Sequence, residues 1–529
     1  MNSIFLLKVY TFPIALILAL HSHSLFAQLP SSEKLNFVVI VTDDLSWEHL
    51  SINGCKYVNT PNIDRLAREG INFSNAFVSA PSCTPSRSAI LAGRNGFELA
   101  QAASLWGYLP LKYQTYTELL EQNGYKIGGS GKGMGPGVLI NRAEDPVGKI
   151  INQRSFSHTV NNSIVYSSID YAENLNLFIQ NNKNQPFCFW MGPHEPHRPF
   201  STVLTNATRG NPESLSVPAY LPDHITVKKD FNDYLAEVEM IDKFVEKTLY
   251  MLEMNNLLDN TVIIFTSDNG MPFPRAKTHL YDSGTKVPLI IWRKGLNNAG
   301  RVNNQMVSLI DIAPTILDYA NVEIPDSYSG KSLVKVIEEN RKKVRKDVLM
   351  YTERHSWRKN DEVYVTRAIR NQKYLLIWNV KPERLPVDTN DGPTLNLIKN
   401  GKGGEYADIY NLSFALRPEV ELYKIADDPE QMNNLSNVLK FKRKTDSLKR
   451  KLEKKLFLLG DPRVTGHEEI FLNAPYFGLI FQHNLLNYSD YLNKKEQYTQ
   501  KHIIELLEKA YQMAGASEEF EGIKKQEGW

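Results

Sequence analysis

Phe37-Val38-Val39-Ile40-Val41, followed by Thr42 and then Asp43-Asp44, reads as a strand covered on both faces that ends in two carboxylates. A continuous apolar, β-branched run of this kind is what a parallel sheet flanked by helices requires. Thr261-Val262-Ile263-Ile264-Phe265-Thr266 repeats the pattern and ends in Ser267-Asp268-Asn269-Gly270. Ligands of open α/β sheets sit beyond the carboxyl ends of the strands, so both acidic ends are expected at one place. Three carboxylates and an amide oxygen make a hard-oxygen set suited to Ca²⁺ or Mg²⁺. An Asp-Asp pair alone is an ordinary solvated strand end, and it gains meaning only from its neighbours.

Around these runs the chain alternates helix and strand, which indicates a mostly parallel sheet with helices on both faces. Thr60-Pro61 suits the N-cap and first turn of a helix carrying Ile63, Leu66 and Ala67. Val238, Ile241, Val245, Leu249 and Leu252 form one stripe of a long helix before the strand at Thr261. Residues 287–292 read as a further buried strand. Beyond about residue 345 the pattern changes to short alternating strands, 363–369 and 374–378, with terminal helices over 448–459 and 501–513. The expected fold is therefore α/β, a large mostly parallel sheet with a smaller C-terminal antiparallel-sheet domain. The expected segments are a leader over 1–27, a catalytic domain over 28–345 and a C-terminal domain over 346–529.

Cys83-Thr84-Pro85-Ser86-Arg87, then Leu91-Ala92-Gly93, places a thiol at the start of a helix and a guanidinium one turn later. Proline is tolerated in a first helical turn, and glycine suits the exit. Free N–H groups and the positive dipole end would face an anion beside Cys83, and Arg87 offers a planar donor fork for a tetrahedral oxyanion. A lone cysteine before a helix is ordinarily a buried small hydrophobe. Two acidic strand ends beside an anion-binding helix turn that expectation towards a site.

On these residues the chain resembles the type I formylglycine-dependent sulfatases of the alkaline-phosphatase-like superfamily. The resemblance rests on C-x-P-S-R at 83–87, Asp43-Asp44, Gly131-Lys132 and Asp268-Asn269-Gly270, with a looser match through Glu421-Leu422-Tyr423. Within the family, the stretches 267–274 and His194-Glu195-Pro196-His197-Arg198 look most like the heparan N-sulfoglucosamine sulfohydrolase branch and its bacterial polysaccharide sulfatase relatives. The resemblance implies that a formylglycine-generating or anaerobic sulfatase-maturating enzyme oxidises Cys83 to formylglycine (3-oxoalanine), whose hydrate attacks sulfur. It implies Asp43, Asp44, Asp268, Asn269 and the converted Cys83 as the metal set. Arg87 would steady the hydrate, Lys132 would bridge nucleophile and sulfate, His197 would be the general acid and Lys277 a sulfate-binding group. His194, Arg354, His355 and Arg367 would form the substrate rim.

Plainer readings stay open for several of these. Lys132 among glycines could be a solvated turn lysine, His194 a loop cap, Lys277 exposed, and the rim an ordinary surface loop. One departure from the family stands out: many members carry a histidine two residues after the lysine, and here that position is Met134. Either another residue supplies the contact, or this subgroup manages without it, or the chain has lost activity.

Composition agrees with an exported enzyme. The chain has 529 residues, 42% of them hydrophobic, enough for a large core. Lys8, an apolar stretch over 12–20 and Ala27 before Gln28 read as a secretory leader, and no later segment reaches the roughly 18 apolar residues of a membrane span. A net charge of +2 carries no nucleic-acid signal. Cys55, Cys83 and Cys188 do not make a disulfide framework; Cys55 and Cys188 are expected as buried thiols. The basic run from Lys440 to Lys455 reads as a helix docked by Leu448, Leu452 and Leu456 with a solvated basic face. The expected activity is hydrolysis of a sulfated carbohydrate, an O-sulfate of algal ulvan or glycosaminoglycan type, with N-sulfoglucosamine as the alternative. A phosphate or phosphonate monoesterase and a non-catalytic sulfated-glycan-binding protein are the rivals.

Overall fold

β1, Asn36–Thr42, lies at the centre of the molecule with every residue buried. The computed structural model describes residues 34–155, 159–160, 163–164, 168–200, 211–340, 344–358, 363–387, 391–488, 490–491 and 497–529; the leader reading falls outside these. Among the described residues, β1 is joined in one eight-stranded sheet by β2 (Ile71–Phe73), β3 (Lys126–Gly131), β4 (Lys149–Ile150), β5 (Phe187–Gly192), β6 (Thr261–Ser267), β7 (Leu289–Trp292) and β8 (Arg301–Asn303). The order is β8-β2-β7-β6-β1-β5-β3-β4. β7 runs antiparallel to both of its neighbours; the other pairings are parallel.

The period-two geometry of β1 divides its side chains between two cores. Phe37, Val39 and Val41 join the helices Cys83–Ala92, Tyr116–Gln122 and Ile312–Tyr319 on one face. Val38 and Ile40 join Pro61–Glu69, Tyr171–Asn181 and Ile225–Met254 on the other. Burying each such side chain contributes about 1.5–3 kcal/mol, so a strand covered on both faces is held strongly in register. The stripe Val238, Ile241, Val245, Leu249 and Leu252 is buried on the long helix as expected. Thr60 stands at the N-cap and Pro61 opens the helix, as expected. The Thr60 hydroxyl does not cap the helix; it lies 2.7 Å from Ser51 Oγ and donates to Asp64 Oδ1 at 3.2 Å.

A separate four-stranded antiparallel sheet comprises β9 (Asp347–Thr352), β10 (Thr366–Asn371), β11 (Tyr374–Asn379) and β12 (Val420–Lys424), paired in chain order. The basic helix Lys442–Leu458 lies across it, with Leu448, Leu452 and Leu456 packed near Leu349, Ile369, Leu376 and Leu422. Lys442, Arg443 and Lys444 are exposed, while Lys451 and Lys455 pair with the buried Asp347. All three cysteines are free; Cys188 is buried, whereas Cys55 is only partly so. Both sheets belong to one compact unit, Leu35–Trp529.

Candidate active site

β1 and β6 are paired from Asn36 opposite Thr261 to Thr42 opposite Ser267. That register delivers Asp43-Asp44 and Asp268-Asn269 together at the carboxyl end of the sheet, and all four are buried. Asp44 N–H donates to Asp268 Oδ1 at 3.2 Å and Leu45 N–H to Ser267 Oγ at 2.8 Å. Asp44 adopts a left-handed backbone with φ 75°, and Arg275 and Thr278 on the loop after β6 do the same at 66° and 72°. Such residues cost on the order of 1–3 kcal/mol each and gather at functional sites.

Cys83 opens the helix Cys83–Ala92, every residue of which is buried, and its Sγ lies 3.5 Å from Asp43 Oδ1. One turn further, Arg87 donates through Nε to Asp268 Oδ2 at 2.6 Å and through its other nitrogens to the carbonyls of Val41, Thr42, Lys132 and Gly133. Lys132 Nζ pairs with Asp43 and lies 4.0 Å from Asp268 Oδ2. Its backbone is seated by the end of β5: Lys132 N–H donates to Gly192 O at 2.7 Å. A Cβ on Gly192 would stand 1.9 Å from the Lys132 carbonyl oxygen, so only glycine permits this approach. Lys277 Nζ bonds Asp44 at 2.8 Å, and His197 Nε2 lies 3.8 Å from Asp44 Oδ2. The structure thus gathers Cys83, Arg87, Lys132, His197 and Lys277 around the four acidic and amide groups.

The electrostatics follow from crowding charge in a dry site. Burial works to raise Asp43, but Lys132, His197 and Arg87 outweigh it and hold Asp43 well below the usual carboxylate range. For Asp44 and Asp268 burial prevails, and both are raised. Burial works to lower Lys277, yet Asp44 more than offsets it and Lys277 is raised. Burial, then Asp43, pushes the Cys83 thiol up to about 12, so it is protonated and a poor nucleophile at neutral pH. Burial, then Lys277, pushes His197 down to about 4. His197 Nδ1 is bonded to the Arg198 carbonyl, an acceptor, so Nδ1 carries the proton of the neutral ring.

These residues fit a divalent cation. Oxygens of Asp43 and Asp268 lie within 4.8 Å of each other and of Cys83 Sγ, and Asp43, Asp44 and His197 form a second such group. Asn269 Nδ2 donates to Asp44 Oδ1 at 2.6 Å, while its buried Oδ1 has no hydrogen-bond partner among the described residues. A buried amide oxygen without a partner is costly unless a cation takes it.

The rim divides. His355 reaches the site: its Nδ1 lies 2.8 Å from Ser82 Oγ, and it is pushed down to about 3 by burial and then by Lys277, His197 and Lys132. His194 is exposed at the neighbouring loop, its N–H donating to Tyr171 Oη at 3.1 Å. Arg354 and Arg367 do not reach it, which corrects the reading of both as substrate contacts. Arg367 is fully buried between Glu353 and Asp461, because β10 turns it into the space packed against the chain at 461–463. Arg354 is buried with its head group donating to the carbonyls of Ala474 and Leu472 at 2.9 and 3.1 Å. Met134 is buried in the core cluster that holds Val147 and Trp190, and its N–H donates to Asp145 at 3.2 Å.

Two partners are absent from the sequence expectations. Asp230 grips Arg198 with both oxygens at 2.6 and 2.7 Å, and Arg198 Nε donates to Pro272 O at 3.1 Å, tying the His197 loop to the loop after β6. No local signal marks Asp230, which lies 32 positions away. Ser82 could have been singled out by its place immediately before Cys83.

Residues 275–388 match the family model described as N-sulphoglucosamine sulphohydrolase, C-terminal. The chain is 27% identical to human N-sulphoglucosamine sulphohydrolase over 488 residues, covering 82% of this chain and 92% of that one. It is 25% identical over 471 residues to an ulvan-active sulfatase of Formosa agariphila, covering 82% and 76%. Among solved structures it shares the fold of a protein in complex with its substrate D-glucosamine-2-N,6-O-disulfate, with a TM-score of 0.59, 23% identity and coverage of 81% and 98%. A 2-O GAG sulfatase superposes with a TM-score of 0.61 at 19% identity, covering 81% and 93%. Residues 35–322 match the family model described as Sulfatase. That match runs through both strand ends and the helix between them and spans more than half of the chain, which therefore belongs to the sulfatase family.

Proposed function

We propose that this sulfuric ester hydrolase is exported and removes sulfate from a sulfated carbohydrate, with Cys83 converted to formylglycine as its nucleophile. Asp43, Asp44, Asp268 and Asn269 would hold one divalent cation, Ca²⁺ or Mg²⁺. The observation that carries this reading is Cys83 Sγ, 3.5 Å from Asp43 and inside a ring of Arg87, Lys132, His197 and Lys277. A thiol held up to about 12 does little there, whereas an aldehyde hydrate at that carbon offers two hydroxyls. When bound, the cation supplies positive charge that acidifies a hydroxyl and offsets three carboxylates.

One hydrate oxygen, its proton released to solvent, attacks sulfur while the bond from sulfur to the leaving oxygen breaks. Arg87, Lys132 and Lys277 surround the sulfate oxygens with positive charge. The leaving oxygen takes a proton from His197. With Nδ1 tied to the Arg198 carbonyl, Nε2 can deliver that proton only from the cationic ring, a form favoured once an anionic sulfate ester sits beside it. The second hydroxyl then returns a proton to His197, the carbonyl re-forms, and the carbon–oxygen bond to sulfate breaks.

The substrate reading rests on the relatives' names, which include ulvan-active sulfatase and N-acetylglucosamine-6-O-sulfatase. The match of residues 275–388 to the N-sulphoglucosamine sulphohydrolase model favours N-sulfoglucosamine as a second reading. We read 1–27 as a leader, 28–345 as the catalytic domain, which carries His194 at the rim, and 346–529 as the C-terminal small-sheet domain with terminal helices, which brings His355 to the site. The test is peptide mass analysis of Cys83 after co-expression with the converting enzyme, followed by sulfate release from O-sulfated and N-sulfated glycans and a matched phosphate ester. Conversion of Cys83 and sulfate release are expected, with roughly a 10³-fold or greater loss in Cys83→Ala. An unconverted Cys83, or a preference for the phosphate ester, would overturn the proposal.

A further inference from the structure

Ser82 occupies the N-cap position of the Cys83–Ala92 helix in extended backbone, φ −159° and ψ 140°, yet its hydroxyl caps none of the helix N–H groups. Serine is among the preferred N-cap residues because that hydroxyl ordinarily accepts from the second or third helical N–H. Here the third helical residue is Pro85, which has no N–H, so Thr84 N–H is the group Ser82 would take. Instead Ser82 Oγ lies 2.8 Å from His355 Nδ1.

His355 is delivered to this contact from the other sheet. Glu353, two residues earlier, is buried between two guanidinium groups, Arg367 Nη2 at 2.7 Å and Arg463 Nη2 at 2.8 Å. Arg367 also bonds Asp461, with Nη2 to Oδ1 at 3.0 Å, and Asp461 accepts from the Arg463 backbone N–H at 3.0 Å. The backbone on either side is pinned as well. Arg354 O accepts from Leu105 N–H at 2.9 Å and His355 O from Tyr476 Oη at 3.3 Å. A buried four-charge cluster is a poor source of net stability, but it fixes geometry tightly.

We infer that His355 is a positioning residue: held by the Glu353–Arg367–Asp461–Arg463 clamp, it keeps the Ser82 hydroxyl off the first turn of the Cys83 helix and so leaves Thr84 N–H open to the sulfate group. The inference rests on the sulfatase reading and adds the role of the C-terminal sheet in it. An N-terminal turn binds an anion through its unpaired N–H groups, and a capping hydroxyl competes for the same groups. The contact with His355 Nδ1 holds the Ser82 side chain in an orientation in which its oxygen accepts from none of these N–H groups.

The experiment is a double-mutant cycle on the fully matured protein, with rates normalised to converted Cys83. In His355→Ala the freed Ser82 caps Thr84, and kcat/KM for a sulfated monosaccharide is expected to fall about ten-fold. The double variant Ser82→Ala/His355→Ala should return to within three-fold of Ser82→Ala alone, a rescue that neither a substrate contact nor a packing role would give. Glu353→Gln should reproduce the His355→Ala loss, and Ser82→Ala should rescue it likewise. The same four proteins are titrated calorimetrically with inorganic sulfate, whose affinity should follow the same pattern. An unrescued loss, or His355→Ala with unchanged sulfate affinity, overturns the inference. Should the parent protein bind sulfate in this pattern yet cleave no sulfate ester, the sulfatase reading fails while the positioning role stands.

Discussion

Arg87 Nε lies 2.6 Å from Asp268 Oδ2, and neither side chain touches solvent. The pair joins the helix that carries Cys83 to the end of β6, so the first turn of that helix and the acidic cluster are tied together. Removing one partner of a buried pair leaves an uncompensated charge and costs about 3–5 kcal/mol. Arg87→Gln is therefore expected to lose activity and to lower the urea midpoint by a corresponding amount. Equilibrium unfolding checks this, and a midpoint shift worth under 1 kcal/mol would contradict it.

A cation held by the proposed set Asp43, Asp44, Asp268 and Asn269 would bind the folded chain and not the unfolded one. Stabilisation should then grow with cation concentration, by about 2.7 kcal/mol at one hundred times the dissociation constant. Thermal unfolding after chelation should show a lowered Tm, restored by Ca²⁺ or Mg²⁺. Asn269→Ala, which removes the buried oxygen lacking a partner, should blunt that restoration. An equal response in both proteins would remove Asn269 from the set.

Met134 is packed in the core with 2% of its surface exposed. Met134→His, which supplies the histidine that the family resemblance leads one to expect there, is expected to bury an imidazole at a cost of about 1–3 kcal/mol. No rise in kcat should accompany it. A faster enzyme would mean that the loop can turn this side chain towards Cys83.

His49, bonded to Tyr234 Oη at 2.9 Å, is pushed by burial from its ordinary 6.5 down to about 3. Between those values the unfolded chain takes up a proton that the folded chain refuses, so stability is complete above pH 6.5 and falls as pH drops towards 3. At pH 5.5 the loss from this residue is about 1.4 kcal/mol. Urea midpoints measured at pH 7.5 and 5.5 should show a smaller difference for His49→Gln than for the parent protein. Identical differences would assign the acid sensitivity to other groups.

Much of the catalytic half is local in origin and was legible without coordinates. An apolar β-branched run dictates a strand buried on both faces, the strand's end dictates where Asp43-Asp44 and Asp268-Asn269 must lie, and Cys83 to Gly93 carries its own helix start and stop. The large mostly parallel sheet and the small antiparallel sheet followed from the same periodicities, as did the docking stripe Leu448, Leu452 and Leu456. Arg354, His355 and Arg367 form one cationic stretch in the sequence, and nothing in their spacing separates them. The folded chain turns Arg367 onto Asp461, 94 positions away, and sets His355 against Ser82, 273 positions away. Local periodicity determines which elements form and where each one ends. Which charged side chain is buried as a clamp and which meets the site depends on partners distant in the chain, because a buried charge is tolerated only where opposite charge is already packed beside it.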